Sequence, residues 1–235
     1  MEKILHTADS RGHNNFGWLD SHHSFSFGRY YNPERVSFGK LRVLNDDFVS
    51  GGAGFGTHPH DNMEIVSIPL QGAIEHQDST GTRGVIHTGD VQIMSAGSGI
   101  THSEYNHSAS EALNFLQLWV IPDQMNIKPR YDQKTFNIAG APNQWHTVVA
   151  PDQEDALWIN QDSYFSLMKT DKNTSVSYQL RSAKSGVYIF VIDGGFRTDE
   201  LTLGHRDAIG IYGSDEVIAL EVEADSYLLA VEVPM

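Results

Sequence analysis

The segment Gly56-Thr57-His58-Pro59-His60 sets two imidazoles two residues apart. On an extended strand such residues point to the same face, so both rings can reach one point. Further along, Ile100-Thr101-His102-Ser103-Glu104-Tyr105 repeats the spacing with His102 and Glu104. On neighbouring strands the two pairs would surround one centre with three nitrogens and one carboxylate oxygen. That donor set suits a first-row divalent metal with a position left open for substrate or dioxygen. A lone His-x-His falls on many surfaces by accident. The second pair is what makes a candidate site.

The composition agrees with imidazole ligation. The chain has 235 residues, 12 histidines and no cysteine. Disulfides, thiolate metal sites and cysteine nucleophiles are thereby excluded together. Asp and Glu number 30 against 16 Lys and Arg, a formal charge of −14. Affinity for phosphate backbones comes mostly from Lys and Arg, so direct nucleic-acid binding is not expected. The start of the chain has no signal-peptide pattern, and no apolar run approaches the ~20 residues that cross a bilayer. A cytoplasmic protein without membrane contact is expected.

The elements that must position the pairs are short strands. Lys40-Leu41-Arg42-Val43-Leu44, Glu64-Ile65-Val66-Ser67-Ile68, Phe115-Leu116-Gln117-Leu118-Trp119-Val120 and Val187-Tyr188-Ile189-Phe190-Val191-Ile192 are rich in β-branched and aromatic residues and bounded by turns. No long stretch has the 3.6-residue apolar period of an amphipathic helix. An all-β sandwich or barrel follows, with helix confined to short pieces. Ile121–Arg130, with two prolines, reads as a connection between halves. Landmarks recur on either side of it. A strand ending at Gln71-Gly72 and a turn at Gly89-Asp90 are echoed by Asp193-Gly194 and Arg206-Asp207 at nearly the same spacing. Such a repeat suggests a duplicated β-domain.

At these residues the sequence resembles a known superfamily. Gly52-x5-His58-x-His60-x3-Glu64-x7-Gly72 is similar to the first cupin motif. Gly89-Asp90 with Gly97-Ser98-Gly99-Ile100-Thr101-His102-x3-Asn106 is similar to the second. More narrowly, Arg11-Gly12-His13, Gly17-Trp18-Leu19-Asp20-Ser21-His22, Leu41-Arg42-Val43-Leu44-Asn45-Asp46-Asp47 and His102-Ser103-Glu104-Tyr105-Asn106 resemble the pirin family. The resemblance is dense from about residue 10 to residue 131 and beyond that rests on length and β-pattern. It implies a bicupin of two tandem jelly-roll-like barrels. A metal-binding domain would span residues 1–131 and a metal-free domain residues 132–235.

The resemblance also carries expectations for the site. His58, His60, His102 and Glu104 would hold one divalent transition metal, Fe(II) for preference, with Mn, Ni, Cu or Zn accepted by the same ligands. Glu104 would double as general base. The wider cupin pattern puts a carboxylate ligand seven residues before the closing glycine, a place held here by Ile65 and not Glu64. A one-residue slip turns a strand side chain to the opposite face, so Glu64 is expected to be a structural carboxylate. The implied activity is a dioxygenase that opens flavonols such as quercetin, taking a small aromatic substrate and dioxygen. The alternative is a metal- or redox-sensing regulator acting through a protein partner.

The second half offers no equivalent ligands. The places matching His58 and His60 are Leu180 and Ser182, the place matching His102 is Ala219, and no histidine lies between His146 and His205. His13, His22 and His23 read as hydrogen-bonded structural histidines. His76 and Asp78 read equally as proton carriers or a strand-end cap. His107, His146 and His205 read as surface. Gly51–Gly56 leads into a strand and has no phosphate fingerprint. Tyr30, Tyr31, Trp119 and the Phe-rich start read as core.

Overall fold

The computed structural model describes residues 1–213 and 217–235. In chain order the first half holds β1 (Glu2–His6), β2 (Gly12–Asn15), β3 (Leu19–His23), β4 (Leu41–Val49), β5 (Gly54–His60), β6 (Glu64–Gln71), β7 (Ala73–Asp78), β8 (Arg83–His87), β9 (Asp90–Ser95), β10 (Ile100–Asn106) and β11 (Leu113–Val120). The second holds β12 (Arg130–Thr135), β13 (His146–Val149), β14 (Tyr164–Lys169), β15 (Thr174–Tyr178), β16 (Ser185–Asp193), β17 (Phe196–Thr198), β18 (Leu201–Leu203), β19 (Ala208–Tyr212), β20 (Ile218–Val222) and β21 (Tyr227–Pro234). Helix is limited, among the described residues, to short 3-10 turns at Ala8–Ser10 and Ile138–Gly140.

The duplication is plain in the sheet orders. The large sheets run β12-β9-β6-β11-β4-β3-β2 and β1-β19-β16-β21-β14-β13. The small ones run β5-β10-β7-β8 and β15-β20-β17-β18. The halves are the same sandwich twice, and they exchange an edge strand. β1, from the chain start, borders the second large sheet, and β12, which opens the second half, borders the first. The landmark turns coincide as well. Gly72 and Gly194 both have positive φ, of 82° and 73°, and Gly89, at 99°, is matched by Arg206 at 65°. A left-handed arginine where the repeat has glycine is a strained choice, and its side chain is what the position is held for.

Closed barrels are the one point of the fold that needs correcting. The large and small sheets of each half share no ladder, so each half is an open cupin-like sandwich. The two large sheets pack on one another through Leu44, Val66, Ile93 and Leu118 on one side and Phe165, Phe190, Leu229 and Val231 on the other. Strand alternation then decides what each sandwich holds inside. In the second half, Val187, Ile189, Ile211, Leu220 and Leu228 fill the interior. In the first half, Asn45, Asp47, Ser67, His76, Gln92, His102 and Glu104 are all buried, beside a smaller apolar cluster that includes Val49, Ile74, Ile86 and Phe115. A buried polar lining is costly unless partners or a ligand satisfy it. That contrast sets the two halves apart.

Candidate metal centre

The two predicted pairs meet on the small sheet of the first half. β10 lies between β5 and β7, with His102 opposite His58 on one side and opposite Asp78 on the other. The register slips between His102 and Glu104, so that Glu104 falls opposite Phe55 rather than Gly56. β5 therefore carries an extra residue, a bulge, just before its histidines. Bulges recur beside active sites because they re-aim side chains. Here the bulge puts Phe55, His58, His102 and Glu104 on one face, together with His76 opposite Glu104.

The ring centroids of His58, His60 and His102 lie 4.4 to 4.9 Å apart. One ring nitrogen of each lies within 4.8 Å of the others. His76, His102 and Glu104 form a second, overlapping group by the same measure. The His58 Nδ1–H donates to the Gly56 carbonyl at 2.8 Å, which leaves Nε2 as its free donor atom. Glu104 is held at both oxygens. Gln117 Nε2 donates to Oε2 at 2.7 Å and Ser67 Oγ to Oε1 at 3.3 Å. Gln117 is itself oriented by the Trp119 indole N–H, at 3.2 Å.

A metal fits this set on the structure's own terms. Both ring nitrogens of His102 are buried without any hydrogen-bond partner. Orphaned buried polar atoms are rare and cost roughly 1–3 kcal/mol each. Burial, then the neighbouring imidazoles, lower the His102 pKa to about 3 and that of His60 to about 4. Neutral rings are the ligating form. His58, His60 and His102 supply nitrogens and Glu104 an oxygen, the donors that a divalent transition metal takes.

The cavity in front of these residues, about 290 Å³, opens at the seam between β2–β3 and β5. Its walls are mostly apolar, with Phe16, Leu19, Phe27, Phe55 and Trp119 around His58, His60 and Glu104. Trp119, Phe16 and Phe27 thus line the cavity, whereas Phe25 fills the core as expected. Tyr31 is exposed at 76%. His23 also faces in, accepting from Asn14 Nδ2 at 2.9 Å and donating to Asn45 Oδ1 at 2.8 Å. Asp47 lines the same wall and accepts from the Ser21 hydroxyl. Burial, the largest influence, pushes its carboxyl up to about 7. Asp47, Ser67 and Gln117 have no motif of their own in the sequence. Strand alternation alone places them inside.

His76 and Asp78 face the interior, and Asp78 caps the strand end. Asp78 accepts from the backbone and hydroxyl of Thr80, capping the turn, and bonds the His76 Nε2 at 3.0 Å. His76 lies behind His102, with centroids 5.4 Å apart. Glu64 points the other way, its Oε2 accepting from Ser95 Oγ on the neighbouring β9 at 2.8 Å and from the Asn160 N–H of the second half at 3.2 Å. Among the described residues no metal-ligating cluster occurs in the second half.

Burial raises the Glu64 pKa to about 7, against the opposing pull of Ser95, the Asn160 N–H and Arg130. The folded state therefore holds this proton more tightly than the unfolded chain. That contribution is fully present below the ordinary carboxylate range and is lost as pH rises through about 7. Wild type is expected to lose roughly 2–3 kcal/mol relative to Glu64→Gln across that window. Urea unfolding of both proteins at pH 5 and pH 8 measures the difference.

Residues 5–120 match the family model described as Pirin, and residues 147–233 match the one described as Quercetinase C-terminal cupin domain. The chain is 40% identical to the quercetin 2,3-dioxygenase of Escherichia coli over 231 residues, covering 98% of each. It is 35% identical to a pirin-like protein of Caulobacter vibrioides, covering 95% of this chain and 96% of that one. Among solved structures, bacterial pirin YhhW of Escherichia coli in complex with nickel(II) superposes with a TM-score of 0.93, at 38% identity and 99% coverage of both chains. No helix among the described residues is long and apolar enough to cross a membrane.

Proposed function

The chain belongs to the pirin family, and from that premise we propose that it is a metal-dependent dioxygenase that opens the heterocyclic ring of flavonols such as quercetin. The observation that carries the reading is that His58, His60 and His102 gather in one group and a doubly anchored Glu104 joins His102 in an overlapping one, beside an apolar cavity lined by His58, His60 and Glu104. These four residues would hold the ion, with Fe(II) the preferred occupant. The same reading divides the chain at residue 131 into a metal-binding and a metal-free half, which trade β1 and β12.

When bound, the ion supplies Lewis acidity for the flavonol's enol oxygen and a place for dioxygen to meet the substrate. The chain's own residues do the rest. Phe16, Phe27, Phe55 and Trp119 offer flat apolar faces to an aromatic substrate and keep bulk water from it. Glu104 is the base for the flavonol hydroxyl, and the Gln117 and Ser67 hydrogen bonds fix where the proton is taken. Overall the reaction consumes one dioxygen and releases the ring-opened ester and one carbon monoxide.

The test is aerobic turnover. The purified chain, loaded in turn with Fe(II), Mn, Ni, Cu and Zn, is mixed with quercetin, and the ring-opened product and carbon monoxide are measured together. Product and carbon monoxide in equal amounts are expected. Absence of both with every metal sinks the enzyme reading and leaves the regulator.

Gln117→Leu probes the anchoring of Glu104. The substitution removes a donor to the carboxylate and leaves the Trp119 N–H unpaired. Metal affinity is expected to fall about 10–100-fold, the usual cost of losing an outer-shell partner. Isothermal titration with the metal checks it.

A further inference from the structure

We propose that His13, Asp20 and His22 form a second divalent-metal site, for zinc, copper, nickel or cobalt, on the outer face of the β2–β3 hairpin. β2 is the edge strand of the first large sheet, and His13 and His22 are direct cross-strand partners. Their rings stack 4.5 Å apart at 10°, so the side chains are gathered and not splayed. Asp20, two residues before His22 and on the same face, lies between them. Its Oδ1 is 2.6 Å from His13 Nε2 and 3.6 Å from His22 Nε2. Those separations bracket the ~3.3 Å between ligand atoms around a tetrahedral ion with arms of ~2.0–2.1 Å. Two imidazole nitrogens and one carboxylate oxygen are the donors that borderline divalent metals prefer. All three side chains are 30 to 51% exposed, so the remaining coordination positions are open to water.

The site is separate from the centre inside the first half. Strand alternation sends Asn14, Ser21 and His23 into the cavity and His13, Asp20 and His22 away from it. An ion on the outer face would tie β2 to β3, the two strands whose inner faces build one wall of the cavity. It requires no dioxygenase activity.

The experiment is equilibrium dialysis of the full chain against zinc alone, with bound metal counted per chain, for wild type, His13→Asn and His22→Asn. Half-exposed positions tolerate these changes, and unchanged thermal unfolding of the metal-free proteins confirms it. Two ions per chain are expected in wild type and one in each variant. Copper(II) adds a spectroscopic readout, because its electron paramagnetic resonance spectrum should lose a two-nitrogen species in either variant. The idea is overturned if wild type binds a single zinc, or if the second ion survives both substitutions. Either result leaves His13 and Asp20 an ordinary surface hydrogen-bonded pair.

Discussion

His102→Leu is expected to stabilise the metal-free protein while removing its metal. His102 is 2% exposed, and neither ring nitrogen has a hydrogen-bond partner. Two orphaned atoms cost about 1–3 kcal/mol each, whereas an apolar side chain in the same place leaves no unmet hydrogen bond. With chelator present, the leucine variant should therefore unfold at a urea concentration equal to or above that of wild type. Excess metal reverses the order. A ligand at ~100 times its dissociation constant adds about 2.7 kcal/mol to the protein that binds it and nothing to one that does not. Turnover of quercetin should vanish together with the metal. A purely structural histidine predicts the opposite in chelator, a loss of stability on substitution. Unfolding curves for both proteins, each with and without metal, decide between the two. A wild type more stable than the variant in chelator would sink the assignment of His102 as a ligand.

The same residue shows how much of this protein can be read before its structure. His58, His60, His102 and Glu104 stand out because residue type and two-residue spacing both point to one chemistry. The duplicated all-β fold is legible in paired strand ends, since Gly72 and Gly194 serve the same left-handed turn in each half. Glu64 is legible too, because parity along a strand sends it outward. What escapes is everything that depends on which strands become neighbours. Gln117 and Ser67 look like polar interruptions of apolar strands until β6, β10 and β11 are brought together around Glu104. The bulge in β5 is invisible for a similar reason. It exists only relative to the register of β10. Trp119 reads as core because aromatic residues usually are, and no local signal says that its neighbour across the space is a cavity. The exchange of β1 and β12 between the halves is the largest omission, and it follows from contacts between the halves that no local pattern encodes.

Asp46→Ala is expected to be among the most damaging single substitutions, although Asp46 lies outside the cavity. Its neighbour Asp47 faces the cavity, so Asp46 faces the second half. There its Oδ2 meets Arg11 Nη1 at 3.3 Å and Arg206 Nε at 3.1 Å. Its Oδ1 accepts from Asn114 Nδ2 at 2.9 Å, and Asn114 Oδ1 in turn accepts from Arg206 Nη2 at 3.1 Å. Both guanidinium groups lie over the Phe190 ring, at 5.7 and 6.0 Å, and Arg206 Nη1 already lacks a partner. One carboxylate thus compensates two buried cations where the halves meet. Arginine cannot shed its proton to escape, so removal of Asp46 leaves two like charges buried together. Breaking a buried pair from one side costs about 3–5 kcal/mol, and here both partners are stranded. Arg206 holds its strained left-handed turn for this contact, which explains why the repeat departs from glycine there. In an Arg206→Gly background, with one cation and the backbone strain removed, the penalty for Asp46→Ala should shrink by more than about 1 kcal/mol, a coupling that additive sites do not show. Urea unfolding of the four proteins of this cycle, all metal-free, measures it. A penalty below ~1 kcal/mol for Asp46→Ala in the wild-type background would mean that water reaches the two arginines and that the second half is not clamped to the first through this carboxylate.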